Sequence, residues 1–368
     1  MFASANYPQR RLGANGPMVS AIGYGAMGIG AFYGTSDEKE SLETLTYCAD
    51  RGLTFWDTAE LYGSSEATIG KWFTTTSRRP SIFLATKWAG ALTHADCRPS
   101  TLRRGIEGSL ARLQTDYIDL FYQHRVDPQV PIEVVMETFR PYVEEGKIRW
   151  LGLSNCSREV LGRAKAVKGV GEKLVAVQME FSPFETGLEK NGFIEYARSL
   201  GVSVVAYSPL GRGMISGRYK SIDDFPKDDV RRLYPRFQPE NFPKNLELVG
   251  KFHAVARKLN ATPAQVALAW ILAEHPDMIP IPGSRGIART EENARGAEIV
   301  LSAEDQKALR DAVDNATVAG GRMPPEWMIE HDCIPLEEWK GEEGWVMPGA
   351  SGPVLDGSGM GGSTLAEM

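Results

Sequence analysis

IGYGAMGIGAFYG, residues 22–34, contains Gly23-Tyr24-Gly25-Ala26-Met27-Gly28, a literal match to G-x-G-x-x-G. Read as a dinucleotide fingerprint, it opens a doubly wound sheet. Read as the end of a strand and its loop, it fits a closed barrel. The fingerprint needs a helix N-terminus directly behind the glycines, where free amides meet a pyrophosphate. Here the glycines run on through Gly30 and Gly34, and the next helix signal is Ser36-Asp37. The acidic residue that would meet a ribose, Asp57, follows Gly28 by 29 positions, against a usual spacing of about 20. The spacing favours a strand end and a loop.

Working outward, eight short apolar runs alternate with amphipathic stretches. The runs are 21–26, 53–59, 82–87, 118–124, 149–155, 174–180, 202–210 and 278–283. Helix-like segments lie between them. One has Ser36 as its N-cap and Gly52 as its stop, others open at Pro99-Ser100 and end at Gly146, and one has Thr262 before Pro263. Near-continuous apolar strands that alternate with helices imply a parallel sheet buried on both faces. Eight such units imply an α/β fold of the (β/α)8 TIM-barrel type. LGANGPMVS (12–20) reads as a short hairpin plugging the barrel bottom. The stretch 210–262 is too long and too charged for a plain loop and reads as an insert after strand 7. Residues 1–340 form one expected domain, and the Gly/Ser-rich 341–368 an expected disordered tail.

The totals narrow the partners. A net charge of −6 and a pI near 5.6 argue against nucleic acid and anionic membranes. No apolar run approaches the roughly 18 residues needed to span a bilayer. The start, MFASANYPQRRLG, lacks the apolar core of a signal peptide. Four scattered cysteines without a CxxC pair suit reduced thiols and a cytoplasmic setting. Five histidines without HxH or HExxH give no metal site. The oligomeric state stays open.

In such a barrel chemistry sits at the C-terminal strand ends. Run after run here is apolar until its last residues and then turns polar. Asp57 is followed by Tyr62, then come Lys87, His124, Ser154-Asn155, Gln178, Tyr207-Ser208 and Gly283-Ser284. Each alone is explained by loop capping or solvent. Together they converge on one mouth. A lysine beside a tyrosine lowers the phenol's pKa, a carboxylate keeps the lysine charged, and a histidine orients a carbonyl oxygen. That set makes a general acid for an alkoxide formed by hydride from a nicotinamide. Phe32, Tyr33 and Trp88 offer aromatic walls for a carbonyl substrate, and Arg125 meets an anionic substrate group or pairs with Asp127.

These residues are similar to the aldo-keto reductase superfamily over about residues 8–315, in its pyridoxal-reductase-like and auxin-induced-type branch. DTAELYG, ATKW and YQHRVDP match the family's tetrad. The resemblance implies Tyr62 as general acid, Asp57 and Lys87 tuning it, and His124 orienting the carbonyl. GLSN and VQMEFS imply that Ser154, Asn155 and Gln178 hold the nicotinamide carboxamide. AYSPLGRG implies Tyr207 under the nicotinamide, with Ser208, Pro209, Leu210, Gly211 and Arg212 along the pyrophosphate. IPGSRGIARTEEN implies a grip on the adenosine phosphate by Ile281, Gly283, Ser284, Arg285 and Arg289, with Glu292 and Asn293 on the adenine. Many members carry a lysine where this chain has Gly283, and Arg285 lies two positions on. The backbone near Ala26 and Met27 would border the nicotinamide. The implied cofactor is NADPH rather than NADH, and the implied partner a small-molecule carbonyl compound. Other readings open to the same residues are a nicotinamide-binding regulatory subunit, a Schiff-base barrel using Lys87, and a redox-neutral pathway enzyme.

Overall fold

The computed structural model describes residues 7–30, 37–90, 94–327 and 331–346. An antiparallel hairpin comes first, β1 (Gln9–Arg11) paired with β2 (Met18–Ser20). Eight parallel strands follow, β3 (Tyr24–Gly25), β4 (Phe55–Asp57), β5 (Phe83–Trp88), β6 (Ile118–Gln123), β7 (Ile148–Ser154), β8 (Leu174–Glu180), β9 (Ser203–Tyr207) and β10 (Ile279–Pro280), each bonded to the next in chain order. A parallel bridge from Gly25 to Gly283 joins the last strand's end to the first and closes the barrel. All eight strands fall within the expected runs or extend them by one residue.

The first and last strands are shorter than expected, two residues each. Pro280 and Pro282 have no N–H to give, so the ladder cannot continue regularly there. The seam survives through single bonds, Gly23 N–H to the Pro280 carbonyl (2.9 Å) and Gly25 N–H to the Pro282 carbonyl (3.2 Å). Gly25 is required at this approach, since a Cβ there would lie 2.9 Å from the Ile281 carbonyl oxygen.

The outer layer comprises α1 (Glu38–Arg51), α2 (Ser65–Thr76), α3 (Pro99–Leu113), α4 (Ile132–Glu144), α5 (Arg158–Ala166), the short α6 (Gly187–Lys190), α7 (Phe193–Ser199), α8 (Phe242–Lys258), α9 (Pro263–Glu274), α10 (Ile287–Arg295) and α11 (Ala303–Asp314). The cap of α1 is Asp37 rather than the expected Ser36, its carboxylate accepting from the Glu40 amide at 2.9 Å. Ser36 lies outside the described residues. Gly52 ends α1 at φ 90°, and Thr262 caps α9 in a reciprocal pair with Gln265.

Strand alternation sorts the core into two parts. Phe55, Ala85, Leu120, Tyr122, Ala176, Val205 and Ile279 fill the barrel interior with Leu12 and Val19 of the hairpin, which plugs the bottom. Trp56, Leu84, Phe121 and Leu153 point the other way, into the layer between sheet and helices.

Two segments build on the C-terminal face. The expected insert runs through four 3-10 turns between Gly211 and Phe237 before α8 begins. Beyond α11 the chain returns across the mouth as a strap. Ala319 exchanges hydrogen bonds with Asn245 (both 2.9 Å), and Trp327 meets Tyr234 edge to face at 5.5 Å. The Ile334 amide reaches the Pro128 carbonyl. Within the segment expected as a disordered tail, residues 341–346 are described and make contacts with the barrel. Trp345 Nε1 donates to Asp127 at 3.0 Å, Arg98 stacks on its ring, and the Val346 amide donates to Gln129. Residues 347–368 lie outside the described residues. Among the described residues no helix is long and apolar enough to cross a membrane.

Candidate active site

Asp57, Lys87 and Gln178 all face inward because each sits at the parity of the barrel's filling residues, Phe55, Ala85 and Ala176. Tyr62 comes from the turn after β4. Lys87 is fully buried. Its ammonium gives all three protons away, to Asp57 Oδ1 (2.5 Å), the Thr58 carbonyl (2.7 Å) and Tyr62 Oη (3.5 Å). His124 follows β6 and stands edge-on to the Tyr62 ring at 5.9 Å. The opening glycine stretch backs this turn. Ser65 Oγ donates to the Ala26 carbonyl (3.0 Å), and a Cβ on Gly30 would lie 1.9 Å from the Tyr62 carbonyl oxygen.

The electrostatics follow from burial. Burial pushes the Tyr62 phenol up, and Lys87 and Arg125 pull it down without cancelling the shift. The lysine pulls in the expected direction, but desolvation outweighs it and the phenol stays above its ordinary value. For Lys87, burial pulls down, but Asp57 and Tyr62 hold the ammonium above its ordinary range. That is the opposite of what a Schiff-base nucleophile needs. Burial, Arg125 and Lys87 hold the His124 imidazole well below its ordinary value, so it is neutral.

A cavity of about 1590 Å³ opens above this set and reaches α10. Asp57, Tyr62, His124 and Arg125 line its near end, with Met27, Ser154 and Gln178. Tyr207, Ser208, Pro209, Leu210 and Arg212 line its middle. Ile281, Gly283, Ser284, Arg285, Arg289 and Glu292 line its far end, with the Arg285 stem over Gly28. Three residues expected here stand behind the wall. Asn155, at φ 50°, accepts from Tyr207 Oη (2.9 Å) and donates to Ser154 Oγ (2.9 Å). Gly211, at φ 54°, packs on Phe184. Asn293 is buried with its Oδ1 unpartnered.

Arg285 and Arg289 on the far wall and left-handed backbone at Asn155, Ser208 and Arg212 fit a long phosphate-bearing ligand. Among the described residues no cluster of three ligating side chains suits a metal.

Two placements differ from expectation. Trp88 does not line the cavity. It is one residue beyond Lys87, so it points outward, against Gly105 of α3, and its Nε1 donates to the Asp96 carbonyl at 3.3 Å. Arg125 does not pair with Asp127, whose carboxylate takes the amides of Cys97 and Gln129 and the Trp345 indole. Phe32 and Tyr33 lie outside the described residues. Gln178 has a further partner, Asp57 Oδ2 at 2.8 Å, which steadies the lysine's carboxylate. Its matching parity with Asp57 was the available signal. Residues not singled out in the sequence reading also line the cavity, among them Leu61, Tyr234, Met323 and Trp327.

Comparison with known proteins gives one consistent answer. A model described as "Aldo/keto reductase family" matches residues 21–314. The chain is 44% identical over 329 residues to the aldo-keto reductase yakc [NADP(+)] of Schizosaccharomyces pombe, covering 86% of this chain and 95% of that one. It is 45% identical over 323 residues to the aldo-keto reductase str7 of Strobilurus tenacellus, covering 86% and 94%. Among solved structures, the glycerol dehydrogenase from Gluconobacter oxydans superposes with a TM-score of 0.74 at 28% identity, covering 88% and 100% of the two chains. A thermostable aldo-keto reductase solved with the inhibitor epalrestat superposes with a TM-score of 0.68 at 30% identity, covering 83% and 99%.

Proposed function

The chain belongs to the aldo/keto reductase family, and on that premise we propose that it reduces an aldehyde or ketone to an alcohol with NADPH. The observation that carries this reading is the Lys87 ammonium held between Asp57 and Tyr62 at the wall of a long cavity. A relative named for NADP(+) supports the choice of cofactor. NADPH would be held by Ser154, Asn155 and Gln178 at the nicotinamide, by Tyr207 to Arg212 along the pyrophosphate, and by Ser284, Arg285 and Arg289 at the 2′-phosphate. When bound it supplies hydride.

The chain's own residues handle the oxygen. His124, neutral, donates a ring N–H to the carbonyl and sets its direction. Tyr62 gives its proton to that oxygen as it becomes a hydroxyl. Lys87 steadies the phenolate left behind, and Asp57, braced by Gln178, keeps Lys87 charged and placed. The insert and the strap narrow the mouth and limit water. One barrel domain over 1–340, a cytoplasmic location and a small carbonyl substrate belong to the same reading.

The test is a fluorescence titration with NADPH and NADH, followed by single-turnover mixing with 4-nitrobenzaldehyde and a wider carbonyl panel. Tighter NADPH binding and oxidation of the bound cofactor on mixing are expected. Tight binding without oxidation across the panel would overturn the reductase reading in favour of a nicotinamide-binding regulatory subunit or a redox-neutral enzyme.

A further inference from the structure

The cations around the near end and middle of the cavity are unevenly matched. Lys87 has Asp57. Arg212 (3.4 Å) and Arg322 (3.6 Å) share the buried Glu180 at the end of β8. Arg125 has no acid. Among the described residues no carboxylate lies within 4.0 Å of it, and it donates from Nη1 to its neighbour's carbonyl, that of His124, at 3.2 Å. Asp127, the acid nearest in sequence, is spent on the Cys97 and Gln129 amides and the Trp345 indole.

The position of this guanidinium matters as much as its lack of a partner. Arg125 lines the cavity beside Tyr62 and His124. Its charge bears on both of those groups and on the Tyr207 phenol. It therefore stands next to the place where a carbonyl oxygen would be protonated. A guanidinium carries five N–H donors in a planar fork suited to a carboxylate. One donor is used here. The same cavity is also lined by Leu61, Met323, Trp327 and Tyr234, which offer an apolar and aromatic surface.

We propose that the natural substrate is a carbonyl compound that also carries a carboxylate, which Arg125 holds while the rest of the molecule lies against Trp327 and Met323. The inference rests on the reductase reading above and names its substrate class. The bound carboxylate supplies the negative charge that this end of the cavity lacks. It also fixes the carbonyl's distance from Tyr62, because Arg125 is adjacent in the chain to His124.

The experiment compares kcat/KM for 4-formylbenzoate with that for its methyl ester, in the wild type and in Arg125→Met and Arg125→Lys. A third substrate, 4-formylphenyl phosphate, separates a carboxylate site from a general anion site. In parallel, binding of benzoate and benzamide to NADPH-loaded protein is measured by calorimetry. A charge-assisted pair sets the expected preference for acid over ester at about 10- to 100-fold. That ratio falls towards one in Arg125→Met and recovers in part in Arg125→Lys. Benzoate binds more tightly than benzamide, and only in proteins that keep the cation. Equal use of acid and ester by the wild type would overturn the proposal. So would a loss in Arg125→Met that is the same factor for both, since Arg125 would then act only on the Tyr62 phenol. So would a preference for the phosphate over the carboxylate. If no carbonyl is reduced yet Arg125-dependent benzoate binding remains, the reductase reading fails and the carboxylate site stands.

Discussion

Tyr62 and Glu60 sit two residues apart in one turn, and burial governs both. At Tyr62 desolvation holds the proton on, which suits a group whose task is to give one up only when a neighbouring oxygen turns basic. Tyr62→Phe removes the proton and leaves the cofactor contacts. Carbonyl reduction should fall by about 10²- to 10⁴-fold while NADPH titrates as before; turnover near the wild-type rate would remove Tyr62 from the role. Glu60 is a carboxyl that the sequence marks only as part of DTAELYG. Its Oε1 accepts the Ala89 and Gly90 amides (3.2 and 3.4 Å), and its Oε2 is buried without a partner. Burial pushes its pKa from 4.5 to about 7. The folded value lies above the unfolded one, so its contribution is whole below about pH 4.5 and is lost as pH rises through 7, by at most about 3 kcal/mol. Glu60→Gln keeps the accepting oxygen and removes the charge. Urea melts at pH 5 and pH 8 should show a smaller drop for the variant, and an equal drop would exclude Glu60 as its source.

Among the elements, strands explain most of what was legible. Period-two alternation puts Asp57, Lys87, Tyr122 and Gln178 inside and throws Trp88 outward, and alternation is readable from spacing alone. Helix α10 carries Arg289 at the far end of the cavity. Arg289→Ala should weaken NADPH by about 10- to 100-fold and NADH by much less, because only the former has a 2′-phosphate for a charge-assisted bond; equal losses in the two titrations would refute that assignment. The strap has no such period. Its contacts are single long-range bonds, such as His331 Nδ1 to the Asn155 carbonyl at 2.6 Å and the Ser157 amide to the His331 carbonyl at 2.9 Å. They brace Asn155 in its left-handed backbone. His331→Ala removes a bond worth about 1 kcal/mol, so NADPH affinity should fall about fivefold, with part recovered in His331→Asn. An unchanged dissociation constant would show that the strap does not act through Asn155.

For the molecule as a whole, closure of the barrel is the decisive event. The seam consists of Gly25 against Gly283 and a few single bonds interrupted by prolines. Gly25→Val would set side-chain atoms against the Ile281 carbonyl and should destabilise the protein by about 2–3 kcal/mol, read as a lowered thermal midpoint. A melt at the wild-type temperature would mean the seam can open to admit a side chain. The amino-acid sequence by itself determined the eight strand runs, the barrel class, the hairpin plug, the insert and the polar strand ends, because periodicity, caps and breakers are local properties of the chain. Only the tertiary structure decided that Gln178 reaches Asp57 Oδ2, that burial outweighs Lys87 at Tyr62, and that Asn155 stands behind the cavity wall on the Tyr207 hydroxyl. Those outcomes depend on distances between residues far apart in sequence and on how much water their neighbours exclude. Neither quantity is written in any local stretch of residues.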